Sequence, residues 1–119
     1  MQNAAPVDRE RAQNQWEKIR WAFREAGFEV AEIDPVPDLE DMVFANNQVF
    51  VGRSASGEAF IVPSRMRFAS RQREVPHYVA WFRGRGYRVR ELDFGEECLE
   101  GHGDLLWDAG LRRIWAGYG

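Results

Sequence analysis

Apolar positions early in the chain recur with helical spacing. Ala12, Trp16, Ile19, Phe23 and Ala26 are separated by four, three, four and three residues, the stripe of an amphipathic helix. Asp8 stands before it as an N-cap, Glu10 falls in its first turn, and Gly27 supplies the stop. The pattern then changes period. Residues 28–33 (Phe-Glu-Val-Ala-Glu-Ile) predict a short strand ended by Asp34-Pro35. Val43-Phe44 and Val49-Phe50-Val51 predict further strands. A Gly/Ser-rich turn from Gly52 to Gly57 joins the second of these to Ala59-Phe60-Ile61-Val62 as a hairpin.

The second half follows the same plan. Ser70 is placed to cap a helix carrying Val75, Tyr78, Val79 and Phe82, with Pro76 early enough to be tolerated. Gly84 and Gly86 end it, residues 87–92 predict a strand, and an acidic loop follows. Leu105-Leu106-Trp107, a turn at Asp108-Ala109-Gly110, and Arg112-Arg113-Ile114-Trp115 predict a closing hairpin. The halves align without a gap at an offset of 59: residues 23–34 lie over residues 82–93, with six of twelve identities. Helix–glycine–strand units resemble one another by convergence, but that explains six ungapped identities poorly. The reading is two repeat modules, about 8–62 and 70–119, of a kind that buries its faces against neighbours. The same offset sets Asp41 over Glu100, both in loops leading to hairpins.

Composition narrows the function classes. The 119 residues are 45% apolar, enough for a core and too many for a disordered chain. A net charge of −3 removes any global drive toward nucleic acid or anionic membrane. No apolar run has the length of a spanning helix, and the Met1-Gln2-Asn3-Ala4-Ala5-Pro6 start has no signal-peptide core. The single cysteine, Cys98, allows no internal disulfide and fits a reducing cytoplasm. Charge is uneven: residues 63–90 hold eight arginines and one acid, Glu74. That run crosses a helix and a strand, so it cannot form one basic face for RNA. Individual arginine forks that grip a carboxylate are the sharper reading.

Four stretches carry a family resemblance. Pro37-Asp38-Leu39-Glu40-Asp41-Met42-Val43-Phe44-Ala45-Asn46-Asn47 resembles the P-D-M-V-F-x-x-N/D segment of the guanidine-modifying superfamily: amidinotransferases, arginine deiminases and dimethylarginine dimethylaminohydrolases. Residues 65–74 resemble its R-x-R-x-x-x-R-Q-x-E, Trp81-Phe82-Arg83 with Gly86-Tyr87 its W-F-R…G-Y/H-x-V, and Glu100-Gly101-His102-Gly103-Asp104 its E-G-x-G-D. The resemblance implies an α/β fold: two ββαβ-type modules of a five-bladed α/β propeller, the pentein. It implies a guanidino substrate such as arginine. A guanidinium is planar and stays protonated, so binding it needs anions placed for paired N–H bonds. By resemblance, Asp41 and the residue six positions on, Asn47, lie on one side of the guanidinium, and Phe44 walls the pocket. Glu100 is the catalytic carboxylate that orients the group and moves protons. An arginine around Arg67 holds the substrate carboxylate. Dimethylargininases carry Asp where Asn47 stands, which leaves the particular substrate open.

The family also uses a late cysteine nucleophile and a histidine in an H-L-D-like segment, and this sequence ends at Gly119 before either. The expectation is an N-terminal part, inactive alone, completed by C-terminal modules or by self-association. Cys98 is a poor substitute nucleophile, because Glu96, Glu97 and Glu100 beside it oppose a thiolate. Glu97, Cys98 and His102 offer too few ligands at diagnostic spacing for a metal, so neither metal nor cofactor is expected. A self-associating assembly module without catalysis is the alternative. Hydrolysis and amidino transfer are not distinguished by these residues.

Overall fold

The computed structural model describes residues 7–117; the first six residues and the last two, with which the second predicted module ends, lie outside the described residues. The chain divides into two compact units, Met1–Glu32 and Ile33–Gly119.

The first unit is the predicted helix α1, Arg9–Glu25. Asp8 caps it, its carboxylate accepting the Arg11 N–H at 2.9 Å. Gly27, at φ +86°, ends it, and the Phe28 N–H returns to the Phe23 carbonyl at 3.0 Å. This is the six-to-one closure of a glycine C-cap, a conformation that disfavours any side chain. Arg20 pairs with Glu17 at 2.8 Å and with Glu32 at 2.5 Å. No residue of α1 is buried. Residues 28–33 form no β-ladder, which corrects the predicted strand. A strand exists only as part of a ladder with a neighbour, and this segment belongs to no ladder among the described residues.

The second unit is built on β1 (Val49–Arg53), β2 (Ala59–Pro63) and β3 (Arg88–Val89), in that order. β1 and β2 are the predicted antiparallel hairpin, with Val49 opposite Pro63 and Val51 opposite Ile61. β3 joins β2 in parallel through a helical crossover. It is much shorter than predicted. The Arg90 N–H bonds the Ile61 carbonyl at 2.8 Å, and the next ladder bond would come from residue 63, which is proline and has no N–H. The central sheet is buried on both faces. Val49 and Ile61 pack with Leu39, Met42 and Tyr78 on one side, and Phe50 and Val62 pack with Leu99 on the other. Ile61 and Met66 are fully buried.

The predicted second helix is two helices, α2 (Ala69–Gln72) and α3 (Val75–Arg83). Pro76 cannot donate to the preceding turn, so the chain breaks at Arg73-Glu74 and restarts with proline in its first turn. Ser70 lies inside α2 and does not cap it; Phe68 holds that position without a side-chain bond. α3 closes on Gly86 at φ +83°, with the Tyr87 N–H returning to Phe82 O at 3.2 Å. The same glycine closure ends both long helices. Phe23 and Phe28 meet edge to face at 6.0 Å, and Phe82 and Tyr87, 59 positions on, at 5.0 Å, both at 75°. The final hairpin, β4 (Leu105–Asp108) and β5 (Arg113–Ala116), forms as predicted. Asp108 accepts the Leu111 N–H at 2.9 Å, which holds its carboxyl below the usual range. No helix of the described residues is long and apolar enough to cross a membrane.

Candidate functional site

Val43-Phe44 is not a strand. Residues Glu40–Val43 form a 3-10 turn, entered through Asp38 at φ +62° and closed by the Phe44 N–H on Asp41 O at 3.0 Å. The cause is tertiary. Met42 is buried in the core, and its carbonyl accepts the Tyr78 hydroxyl at 2.6 Å. Pinning Met42 inward turns Asp41 and Phe44, its neighbours on the same turn, outward and exposed.

The second segment is a 3-10 turn at Gly101–Gly103, with Glu100 at its head. The Asp104 carboxylate accepts the Glu100 N–H at 2.7 Å, and Gly103 N–H bonds Glu100 O at 2.8 Å. Backbone crowding dictates Gly101, and Gly103 lies against a side chain. A Cβ on Gly101, at φ +53°, would stand 2.7 Å from the carbonyl oxygens of Asn47 and Val49; one on Gly103 would stand 2.8 Å from Asn47 Nδ2. The E-G-x-G-D turn is thus pressed against the chain leading into β1. There the Ser64 hydroxyl donates to Asn47 O at 2.5 Å, and Asn47 Nδ2 donates to Glu100 Oε2 at 3.3 Å.

These turns border an open cavity of about 350 Å³, lined by Asp41, Phe44, Asn47, Phe68, Ser70, Arg71 and Glu100. Four of the five residues singled out from the sequence therefore share one cavity. Arg67 is not among its lining residues. It lies in an adjoining opening with Glu96, Glu97, Cys98 and Asp104, which Glu100 also borders.

Arg71 is the residue the sequence reading missed. It is buried, its Nη1 donating to Asp41 O at 3.0 Å and its guanidinium 5.6 Å from the Phe44 ring centre. Glu74, also buried, pairs with its Nε at 3.4 Å and accepts Gln48 Nε2 at 2.6 Å. Buried charges persist when paired and hydrogen-bonded. The signal was available: Glu74 is the lone acid in the arginine-rich stretch, three residues after Arg71.

Neither histidine lines the cavity. His77 is exposed. The His102 ring packs on Phe50 at 4.8 Å and accepts the Val51 N–H at 3.1 Å. Cys98 is exposed in the adjoining opening. Among the described residues no group of three His, Cys, Asp or Glu side chains is placed to hold a metal ion.

Two acids, an amide, an aromatic ring and an arginine around one opening are groups with the chemistry to hold a small cationic or zwitterionic ligand. Comparison with known proteins agrees with that class. The chain is 38% identical over 118 residues to the bifunctional arginine dihydrolase/ornithine cyclodeaminase ArgZ of Synechocystis, covering 98% of this chain and 16% of that protein. It is 35% identical over 119 residues to the N(G),N(G)-dimethylarginine dimethylaminohydrolase of Mycobacterium tuberculosis, covering 36% of it. Among solved structures, the N-terminal domain of ArgZ bound to product matches with a TM-score of 0.77 at 37% identity, over 92% of this chain and 38% of that one. Unliganded AgrE matches with a TM-score of 0.78 at 36% identity, over 94% of this chain and 16% of that one. No family model matches. Its homologues, the arginine dihydrolases ArgZ and AgrE and a dimethylarginine dimethylaminohydrolase, are enzymes of the guanidine-modifying superfamily, and the chain matches their N-terminal part. It spans about a third or less of the curated relatives named here.

Proposed function

We propose that this chain supplies the binding half of a guanidine-modifying site acting on arginine or a related guanidino compound. Asp41, Asn47 and Glu100 face the N–H groups of the guanidinium, and Phe44 covers its face. Arg71, rather than Arg67, takes the ligand's carboxylate. Glu100 orients the guanidinium and exchanges protons with its nitrogens. The supporting observation is convergence: Asp41, Phe44 and Asn47 meet Glu100, more than fifty positions on, at one cavity that also holds a buried arginine. Relatives named as an arginine dihydrolase and a dimethylarginine dimethylaminohydrolase support the substrate class. The nucleophile and general acid come from outside these residues, since Cys98 and both histidines lie away from the cavity; the chain alone binds without turnover. Titration by NMR tests this. L-arginine is expected to give saturable shifts, weakened about tenfold or more by Asp41→Asn or Glu100→Gln. Citrulline, the same length but uncharged, is expected to bind far less; an equal response to citrulline overturns the reading.

One observation favours a second reading, a self-associating module. β5 is exposed along its length, and Leu106, Ile114 and Trp115 of the last hairpin face solvent. Concentration-dependent oligomers by light scattering are its expected signature, and a monomer at high concentration removes it.

A further inference from the structure

Among the described residues the Glu100 side chain takes one hydrogen bond, from Asn47. Its aim therefore depends on how its turn is fastened to β1. His102 makes two hydrogen bonds there, one to the segment leading into β1 and one to β1 itself. The backbone N–H of His102 bonds Asn46 O at 3.0 Å, and its imidazole Nε2 accepts the Val51 N–H at 3.1 Å. β1 is an edge strand of its sheet. The bond from Ser64 N–H to Gln48 O sets the alternation, so the pairs of residues 50 and 62 and of residues 52 and 60 exchange bonds and Val51 turns its N–H away from β2. Without the imidazole that donor would lack a protein partner at a part-buried position. The Phe50 ring, 4.8 Å away, fixes the plane of the imidazole.

We propose that His102 is a positioning residue for the guanidinium site: by accepting the Val51 amide it locks the Glu100–Asp104 turn onto β1 and so sets Glu100 opposite Asn47. The inference rests on the proposed binding role of Glu100 and adds what holds it there. It requires the neutral ring with its proton on Nδ1, because Nε2 is the acceptor. Burial favours that neutral form, lowering the imidazole below its ordinary 6.5 against an opposing backbone hydrogen bond at Leu105. The carboxylates of its own turn are already engaged, Glu100 by Asn47 and Asp104 by the Glu100 amide. The contacts from other elements are the Phe50 ring and backbone groups of Asn46, Val51 and Leu105.

The test uses the 119-residue chain. Nitrogen-15 spectra of the histidine ring are expected to show the Nδ1–H tautomer; an Nε2–H ring overturns the proposal without any variant being made. His102→Phe keeps the packing on Phe50 and removes the acceptor. It is expected to shift the Val51 amide and the Asn47 side-chain amide signals and to weaken arginine binding about tenfold. His102→Gln, which can still accept, is expected to restore affinity to within about threefold. A folded His102→Phe chain that binds arginine like the parent overturns the positioning role while leaving the guanidine site standing. If the parent binds no arginine, the site reading fails, and His102 is judged by the tautomer and by the Val51 and Asn47 signals. Their invariance in His102→Phe overturns the proposal.

Discussion

Asn47 donates its side-chain amide to the Glu100 carboxylate at 3.3 Å, across 53 positions of sequence. This bond joins the two motifs that border the cavity, and Gly103 stands close enough that a methyl group there would strike the same amide.

Replacing Asn47 with Asp is expected to reverse that relationship. The donor becomes a second carboxylate facing Glu100, so neutral pH sets two like charges together. Stability is expected to fall by about 1–3 kcal/mol at pH 7 and to recover in acid, where one carboxyl takes a proton. Thermal melts at pH 4.5 and 7 check this; a pH-independent loss would mean the charges do not interact.

The glycines of this turn and Gly57 of the β1–β2 hairpin should separate by cost. Gly101→Ala meets backbone oxygens at 2.7 Å and a positive φ, so a loss of about 2–4 kcal/mol is expected in urea unfolding. Gly57→Ala, with open space but φ +85°, is expected to cost only about 1 kcal/mol. Gly103→Ala meets the movable Asn47 amide. It should weaken arginine binding more than it lowers the melting temperature.

Glu74 is a buried anion holding a buried cation. Glu74→Ala strands the Arg71 guanidinium and leaves Gln48 Nε2 unpaired. A loss of about 3–5 kcal/mol is expected in urea unfolding. Glu74→Gln keeps an acceptor and is expected to cost less, but to lower affinity for ligands bearing a carboxylate if Arg71 loses its orientation.

Two groups give opposite pH dependences. His102 titrates lower in the folded chain than its ordinary 6.5, chiefly because burial disfavours its charge. Its contribution is complete above pH 6.5 and is lost as pH falls through the folded value. Tyr78 titrates above its ordinary 10.0, from burial first and the Glu74 charge second, against the lowering effect of Arg71. Its contribution is complete below pH 10 and is lost as pH rises through the folded value. Urea midpoints across both ranges check the signs. His102→Gln should flatten the acid slope and Tyr78→Phe the alkaline one.

The sequence by itself determined what local chemistry decides. The Asp8 cap, the stripe along α1, the glycine closures at Gly27 and Gly86, and both hairpins depend on contacts within a few residues, and all were legible. So were the Phe23–Phe28 and Phe82–Tyr87 closures, each encoded within six residues. Tertiary structure decided the rest. The outward turn of Asp41 and Phe44 depends on Tyr78 pulling the Met42 carbonyl inward, a contact 36 positions away. Arg67 and Arg71 are the same residue type four positions apart. Only burial beside Glu74 and Gln48 determines which one lines the cavity. Residue types and spacing proposed the chemical groups of the site. Their meeting at one opening required long-range packing, in which each hydrogen bond depends on a partner that no local pattern names.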